Sequence, residues 1–238
     1  MDVLSVYLRL YADCLARAGR GLRKNAWTLL LPGALLIAMG LAATLVGLLG
    51  IPFLGGLLVA FAGTALLSSY LTFLDGIVSL ERVQLAGLRQ SFVRLFWPVM
   101  GVGFVLWIAS FVIGYLAQGP GAGAIRLLYN LAVLLLVVVN PTAEVIYRRG
   151  MSSGLATLQH SFAFIQANWI EWYVPNLLIG AAVWLAAPRV LALGLFGLVA
   201  ELVLGALLHV AMVFRGHLYV ALDGTSHRQR MFRYRTGM

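Results

Sequence analysis

The sequence predicts an all-α integral membrane protein: six transmembrane helices as three parallel hairpin repeats, each preceded by an interfacial amphipathic helix. Three observations predict it. First, the 238 residues are 62% hydrophobic and only 11% charged, with a mean hydropathy of +0.94, where soluble domains carry about 25% charged residues. A soluble fold of this length cannot hide so much apolar side chain, so its solvent is lipid. Second, several windows exceed the roughly 18 apolar residues of a spanning helix, and they do not alternate as the ~10-residue strands of a membrane barrel would. Third, "LRKNAWTLLLPGALL" (22–36), "FVRLFWPVMGVGFVL" (92–106) and "FIQANWIEWYVPNLL" (164–178) share one pattern: a polar helical run, a Trp, a Pro, then apolar sequence.

The first element is an amphipathic segment over 2–24. Val3, Leu4, Tyr7, Leu8, Tyr11, Leu15, Ala18 and Leu22 recur at three- and four-residue steps, opposite Asp2, Arg9, Asp13, Arg17, Arg20 and Lys24. Such helices lie in the membrane interface with the apolar face against acyl chains. Spans follow at 27–46 and 54–74, joined by "GLLGIPF". A second amphipathic segment covers 77–94, then spans 96–116 and 127–147, joined by "AQGPGAGA". The third covers 151–167, then spans 169–187 and 190–214, joined by "APRV"; the last span has an alternative register that starts later and runs to Leu222. Gly and Pro in the breaks fit tight helical hairpins. Trp27, Trp97 and Trp169 sit at headgroup depth, where an apolar ring keeps its N–H wet. Pro32, Pro98 and Pro175 fall in the first turns of the following spans, where helical N–H groups lack partners.

Basic residues set orientation. Fifteen of the 17 lie before span one, between spans two and three, between four and five, or after six; only Arg126 and Arg189 fall on the other side. The positive-inside rule then places both termini in the cytoplasm. The net charge of +9 is mostly this topology signal and requires no nucleic-acid partner, although the basic side also attracts anionic headgroups. One lysine against sixteen arginines fits a GC-rich, bacterial genome. The lone Cys14 excludes an intramolecular disulfide, and the first 24 residues do not read as a cleavable signal peptide.

The Trp residues lie 70 and 72 apart, and Gly76, Gly150 and Gly224 lie 74 and 74 apart. Repeats over about 1–75, 76–149 and 150–224 explain both spacings. They form one membrane domain, 1–224, followed by a basic cytoplasmic tail, 225–238. Each unit crosses twice, so a pseudosymmetry axis runs along the membrane normal.

The stretch "AEVIYRRGMSSGLATLQHSFAFIQANWIEWYVPNLL" (143–178) resembles the membrane domain attached to some bacterial glycerophosphodiester phosphodiesterases and the related stand-alone YciC-like six-span inner-membrane proteins. The shared pattern is a span end, a small-residue turn, a "GLATLQHSF"-type helix and Asn-Trp before the next span. The resemblance implies an integral membrane fold. It implies no catalytic residues, because the phosphodiesterase chemistry of such proteins resides in a separate soluble domain.

Few residues suggest chemistry. Glu201 is the most costly residue in a span, and an intramembrane acid is a functional-site hypothesis; a neutral Glu hydrogen-bonded between helices is the plainer reading. His209 lies about 80° around the helix from it. Asn140 and Glu144 share a face at the end of span four, as a polar notch or as a helix end where Arg148 neutralises Glu144. His160, His209, His217 and His227 are scattered and have no Cys partner, so no metal site is expected. No nucleophile–base pair or nucleotide loop is evident. The leading expectation is a non-enzymatic scaffold in the bacterial inner membrane, without cofactor or metal. It contacts anionic phospholipids of the bilayer, another membrane protein or a second copy of itself through Trp27, Trp97, Trp169, Arg82, Arg89, Arg94, Arg228 and Arg230. The alternative is a small transporter or channel with Glu201, Asn140 and Glu144 on its pathway. A lipid-active membrane enzyme is the third reading.

Overall fold

A computed structural model describes residues 3–48, 50, 52–83, 88–119, 121–151, 153–191, 197–225, 229, 230 and 232. Most of these are helical, with no strand among them. In chain order they form α1 (Val3–Lys24), a 3-10 segment (Ala26–Leu30), α2 (Leu31–Leu48), α3 (Pro52–Leu80), α4 (Leu88–Arg94) and α5 (Phe96–Leu116). α6 (Ala122–Val133) continues as a π-helical stretch (Leu134–Val139), followed by α7 (Thr142–Arg149), α8 (Gly154–Leu191) and α9 (Gly197–Leu222). Among the described residues five helical stretches are long and apolar enough to cross a membrane: Ala26–Leu48, Leu54–Leu80, Phe96–Leu116, Ala122–Val139 and Val199–Leu222. The expected span 169–187 is the second part of α8 and is not among these five.

Each of the three Trp-Pro entries is marked by one non-helical residue. Asn25 has φ −130°, ψ 42°; Leu95 has φ −112°, ψ 11°; Asn168 has φ −138°, ψ 26° inside α8. The side chains explain the breaks. Asn25 Nδ2 donates to the Gly21 carbonyl (2.7 Å), a helix-end carbonyl, and to the Glu81 carbonyl (3.0 Å), while Asn25 Oδ1 accepts from Val83 N–H (2.9 Å). Asn168 Nδ2 donates to the Phe164 carbonyl at 3.1 Å. At the second entry Leu95 N–H donates to Ser68 Oγ (3.0 Å), which donates to the Ser91 carbonyl (2.9 Å). Asn competes well with helical bonding, and here it supplies what the broken backbone loses.

Two expectations need correction, the unbroken segment 77–94 and span four ending at 147, and the glycines and α1 add detail. The expected amphipathic segment 77–94 is divided: its first turn completes α3, Glu81 turns the chain with φ 52°, and α4 begins at Leu88. The three glycines spaced 74 residues apart do not share one backbone conformation. Gly150 (φ 58°) and Gly224 (φ 73°) are left-handed, whereas Gly76 lies inside α3. A Cβ on Gly76 would stand 3.3 Å from the Arg82 carbonyl oxygen, so that glycine admits a close return of the chain. Span four does not continue to 147. Pro141 has no N–H, and Asn140 before it is extended (φ −67°, ψ 159°), as a residue preceding proline prefers. The helix stops at Val139 and restarts as α7. The buried stripe of α1 is Val6, Leu10, Cys14, Ala18 and Leu22, while Leu8 and Leu15 are exposed. The apolar arc of this helix is wider than the part the protein covers.

The core lies at one end of the hairpins. Its buried apolar residues come from α1, the C-terminal turns of α3 (Leu71, Leu74, Ile77), the first turns of α5, α7, α8 around Phe164–Trp172, and the C-terminal half of α9 (Val213, Leu218, Leu222). Away from that end the helices still touch, α2 with α3 and α5 with α6, but they bury little: 6%, 11% and 6% of an 18-residue apolar window in Ala26–Leu48, Phe96–Leu116 and Ala122–Val139. Cys14 reports on the packed end. Burial pushes its thiol up to about 12, and the thiolate is the reactive form. A maleimide at about pH 8 is therefore expected to leave the folded chain unmodified and to label it after denaturation. Rapid labelling of the folded chain would mean that α1 does not pack on α9 through this face.

Candidate functional site

The break between α6 and α7 frees several carbonyls inside the packed end, where an unpaired polar group is costly. Side chains from three other places satisfy them. Arg215, from α9, donates from Nη1 to the Val138 carbonyl and from Nη2 to the Asn140 carbonyl (3.0 Å). Trp172, from α8, donates Nε1–H to the Val139 carbonyl at 2.8 Å. Thr142 Oγ1 donates to the Leu136 carbonyl. Tyr173 Oη completes the set by donating to Asn140 Oδ1 at 2.9 Å.

Arg215 is balanced by Glu144 on α7: Nε to Oε1 is 2.9 Å and Nη2 to Oε2 is 3.2 Å, with both side chains buried. The guanidinium also lies over the Trp172 ring, 5.2 Å from its centroid, a cation–π geometry. The pair is bidentate and its remaining N–H groups meet carbonyls, the arrangement in which a buried ion pair can offset desolvation.

Further ion pairs join the same end of the molecule. Asp75 on α3 accepts from Arg94 on α4 (2.7 Å) and from Arg148 on α7 (3.1 Å). Arg149 holds Asp223 after α9 at 2.9 Å. Arg230 in the tail holds Glu171 on α8 at 3.0 Å and donates to the Leu222 carbonyl at the end of α9 (3.3 Å). Lys24 at the end of α1 meets Glu81 after α3; this neighbouring cation lowers the Glu81 carboxyl below its ordinary pKa. A hydrogen-bonded bridge adds to these contacts: His209 on α9 lies 3.1 Å from Thr28 Oγ1 and 3.2 Å from Tyr70 Oη.

Beside this network is a cavity of about 540 Å³ between α3, α5, α7 and α9. Gly63, Gly103, Leu106 and Val137 line its apolar part, and Tyr70, Thr142 and Arg215 line its polar foot. Because those polar groups are engaged with protein partners, the cavity favours apolar contents. Among the described residues no group of three or more His, Cys, Asp or Glu is arranged to hold a metal ion.

The structure therefore brings Asn140 and Glu144 together, but with Arg215 rather than Arg148, which is drawn to Asp75. Glu201 does not join them. It stands fourteen residues before Arg215 on α9, about 21 Å along the axis, half-buried near the contact of Leu202 with Gly33 on α2. Trp27, Trp97 and Trp169 are exposed, as is Arg82. Arg94 is pinned to Asp75. Arg230, expected on an open rim, is buried against Glu171 on α8, and its guanidinium donates to the Leu222 and Thr225 carbonyls at the end of α9. The side chain of Arg89 and all of Arg228 lie outside the described residues. The sequence reading missed Asp75, Glu171, Trp172 and Arg215 as network members. Arg215 follows a long apolar run and reads there as a topology marker; Glu171 and Trp172, directly after the Asn-Trp entry, were the available signal. The chain matches no family model, no curated protein and no solved structure.

Proposed function

We propose that this chain is a non-enzymatic, six-span module of the bacterial inner membrane, with both termini cytoplasmic, that organises lipid or a partner membrane protein around three hairpins. The observation that carries this reading is the division of burial. One end is locked by ion pairs and buried carbonyl bonds, while most of Ala26–Leu48, Phe96–Leu116 and Ala122–Val139 is left without protein cover. Bare apolar helices in a bilayer are covered by lipid or by another helix surface. In this reading the second part of α8 is the sixth span and pairs with α9; packing of α8 on α9, of α2 on α3 and of α5 on α6 supports the three-hairpin arrangement. The three similar entries at Asn25, Leu95 and Asn168 support a threefold repeat, and the resemblance of 143–178 to the phosphodiesterase-attached and YciC-like membrane domains belongs to the same proposal. The transporter alternative draws support from the buried Thr28–His209–Tyr70 bridge rather than from Glu201.

Native mass spectrometry on the chain released from membranes tests the module reading. Bound phospholipid or a stoichiometric membrane partner is expected. The cavity between α3 and α5 supplies a specific variant, because a Cβ on Gly103 meets nothing within 4 Å. Gly103→Leu should fold, fill part of the space and reduce the number of retained lipids. Substrate-dependent flux in proteoliposomes, with neither lipid nor partner retained, would replace the module with a transporter.

A further inference from the structure

We infer that α1 is a docking surface for anionic lipid: Leu8 and Leu15 insert among acyl chains while Arg23, Arg9 and Arg20 meet headgroup phosphates. The inference deepens the membrane-module reading and rests on it, moving the basic lipid contact from the expected rim arginines to α1. Around the α1 axis, Val6, Leu10, Cys14 and Ala18 face the core. Leu8 and Leu15, one heptad apart, are 59% and 57% exposed on the next sector. Arg23, Arg9 and Arg20 follow on the sector beyond, all exposed, at about 100° of rotation per residue. The helix thus has a protein face, an apolar edge and a basic edge side by side, the order expected of a helix lying at a membrane surface.

Charge complementarity selects the occupant. Lys24, Arg94, Arg148, Arg149, Arg215 and Arg230 are committed to carboxylates of the chain. Among the described residues Arg9, Arg20 and Arg23 hold no hydrogen bond or ion pair, and Asp13, the described acid on α1, pairs with none of them. An apolar edge bordered by uncommitted arginines fits a surface that is apolar inside and anionic outside, which is an anionic bilayer.

The test uses the full chain in liposomes, with Leu8→Cys or Leu15→Cys carrying a polarity-sensitive fluorophore. Buried Cys14 stays unlabelled, and the unsubstituted chain taken through the same labelling confirms it. Quenching by bromine-labelled acyl chains is compared for phosphatidylglycerol and phosphatidylcholine at equal mole fraction. Quenching should favour phosphatidylglycerol by about fivefold for each arginine that reaches a headgroup, fall with added salt, and lose that preference in the Arg9→Gln, Arg20→Gln, Arg23→Gln variant. Equal quenching by both lipids overturns the inference. Quenching by neither also overturns it and assigns the edge to a protein partner. Either failure leaves the lipid retention of the hairpins, and so the module reading, standing.

Discussion

Replacing Arg215 by Met is expected to cost roughly 3–5 kcal/mol of stability, the range for removing one member of a buried ion pair. The substitution leaves Glu144 charged and without its partner among fully buried surroundings. It also removes donors from the Val138 and Asn140 carbonyls at the helix break, and each buried acceptor left unsatisfied adds to the cost. The double variant Arg215→Met, Glu144→Leu should recover part of the loss, because no isolated charge remains. Titration of unfolding in mixed micelles for the two singles and the double gives the coupling. A single-variant cost under about 1 kcal/mol, the range of a surface pair, would show that the Glu144–Arg215 pair is open to water.

Gly154→Ala is expected to be nearly as damaging, through packing rather than charge. A Cβ there would stand 2.1 Å from the Gly101 carbonyl oxygen and 2.5 Å from Val102 N. Both obstacles are backbone, so no rotamer change relieves them and the start of α8 must retreat from α5. Overpacking of this kind costs about 1–3 kcal/mol or more. The nearby Gly103→Ala is the contrast: its Cβ meets nothing within 4 Å, and removing a mid-helix glycine gains up to about 1 kcal/mol. Thermal unfolding of the two variants in one detergent should move in opposite directions. A silent Gly154→Ala would contradict the close α5–α8 crossing.

What the sequence disclosed and what it hid divide along physical lines. Hydrophobic length is local information, so the apolar stretches were legible, as were the entries, where Trp, Pro and Asn act within a few residues of one another. The stop at Val139 was half legible: Asn140-Pro141 pointed to a carbonyl freed there, but nothing local named Arg215, 75 residues away, as the group that caps Asn140. The same distance hid the partner of Glu144. Arg148 is the neighbour on the helix surface, and the folded chain prefers Asp75 for Arg148 and Arg215 for Glu144. On α1 the periodicity showed an apolar arc but could not tell which part meets protein. Val6, Leu10 and Cys14 do; Leu8 and Leu15 do not.

The side of the membrane on which each terminus lies decides whether the chain crosses six times. Five stretches qualify as spans by length and composition among the described residues, and the proposal adds the second part of α8 as a sixth. An even count puts both termini on one side, and an odd count separates them. Reporter fusions at residues 1 and 238, with Arg189→Cys probed by an impermeant thiol reagent in intact cells, distinguish the two. Both termini are expected in the cytoplasm, with external labelling at position 189. Termini on opposite sides, with position 189 protected until the membrane is permeabilised, would show that α8 does not cross and would contradict the three-hairpin module.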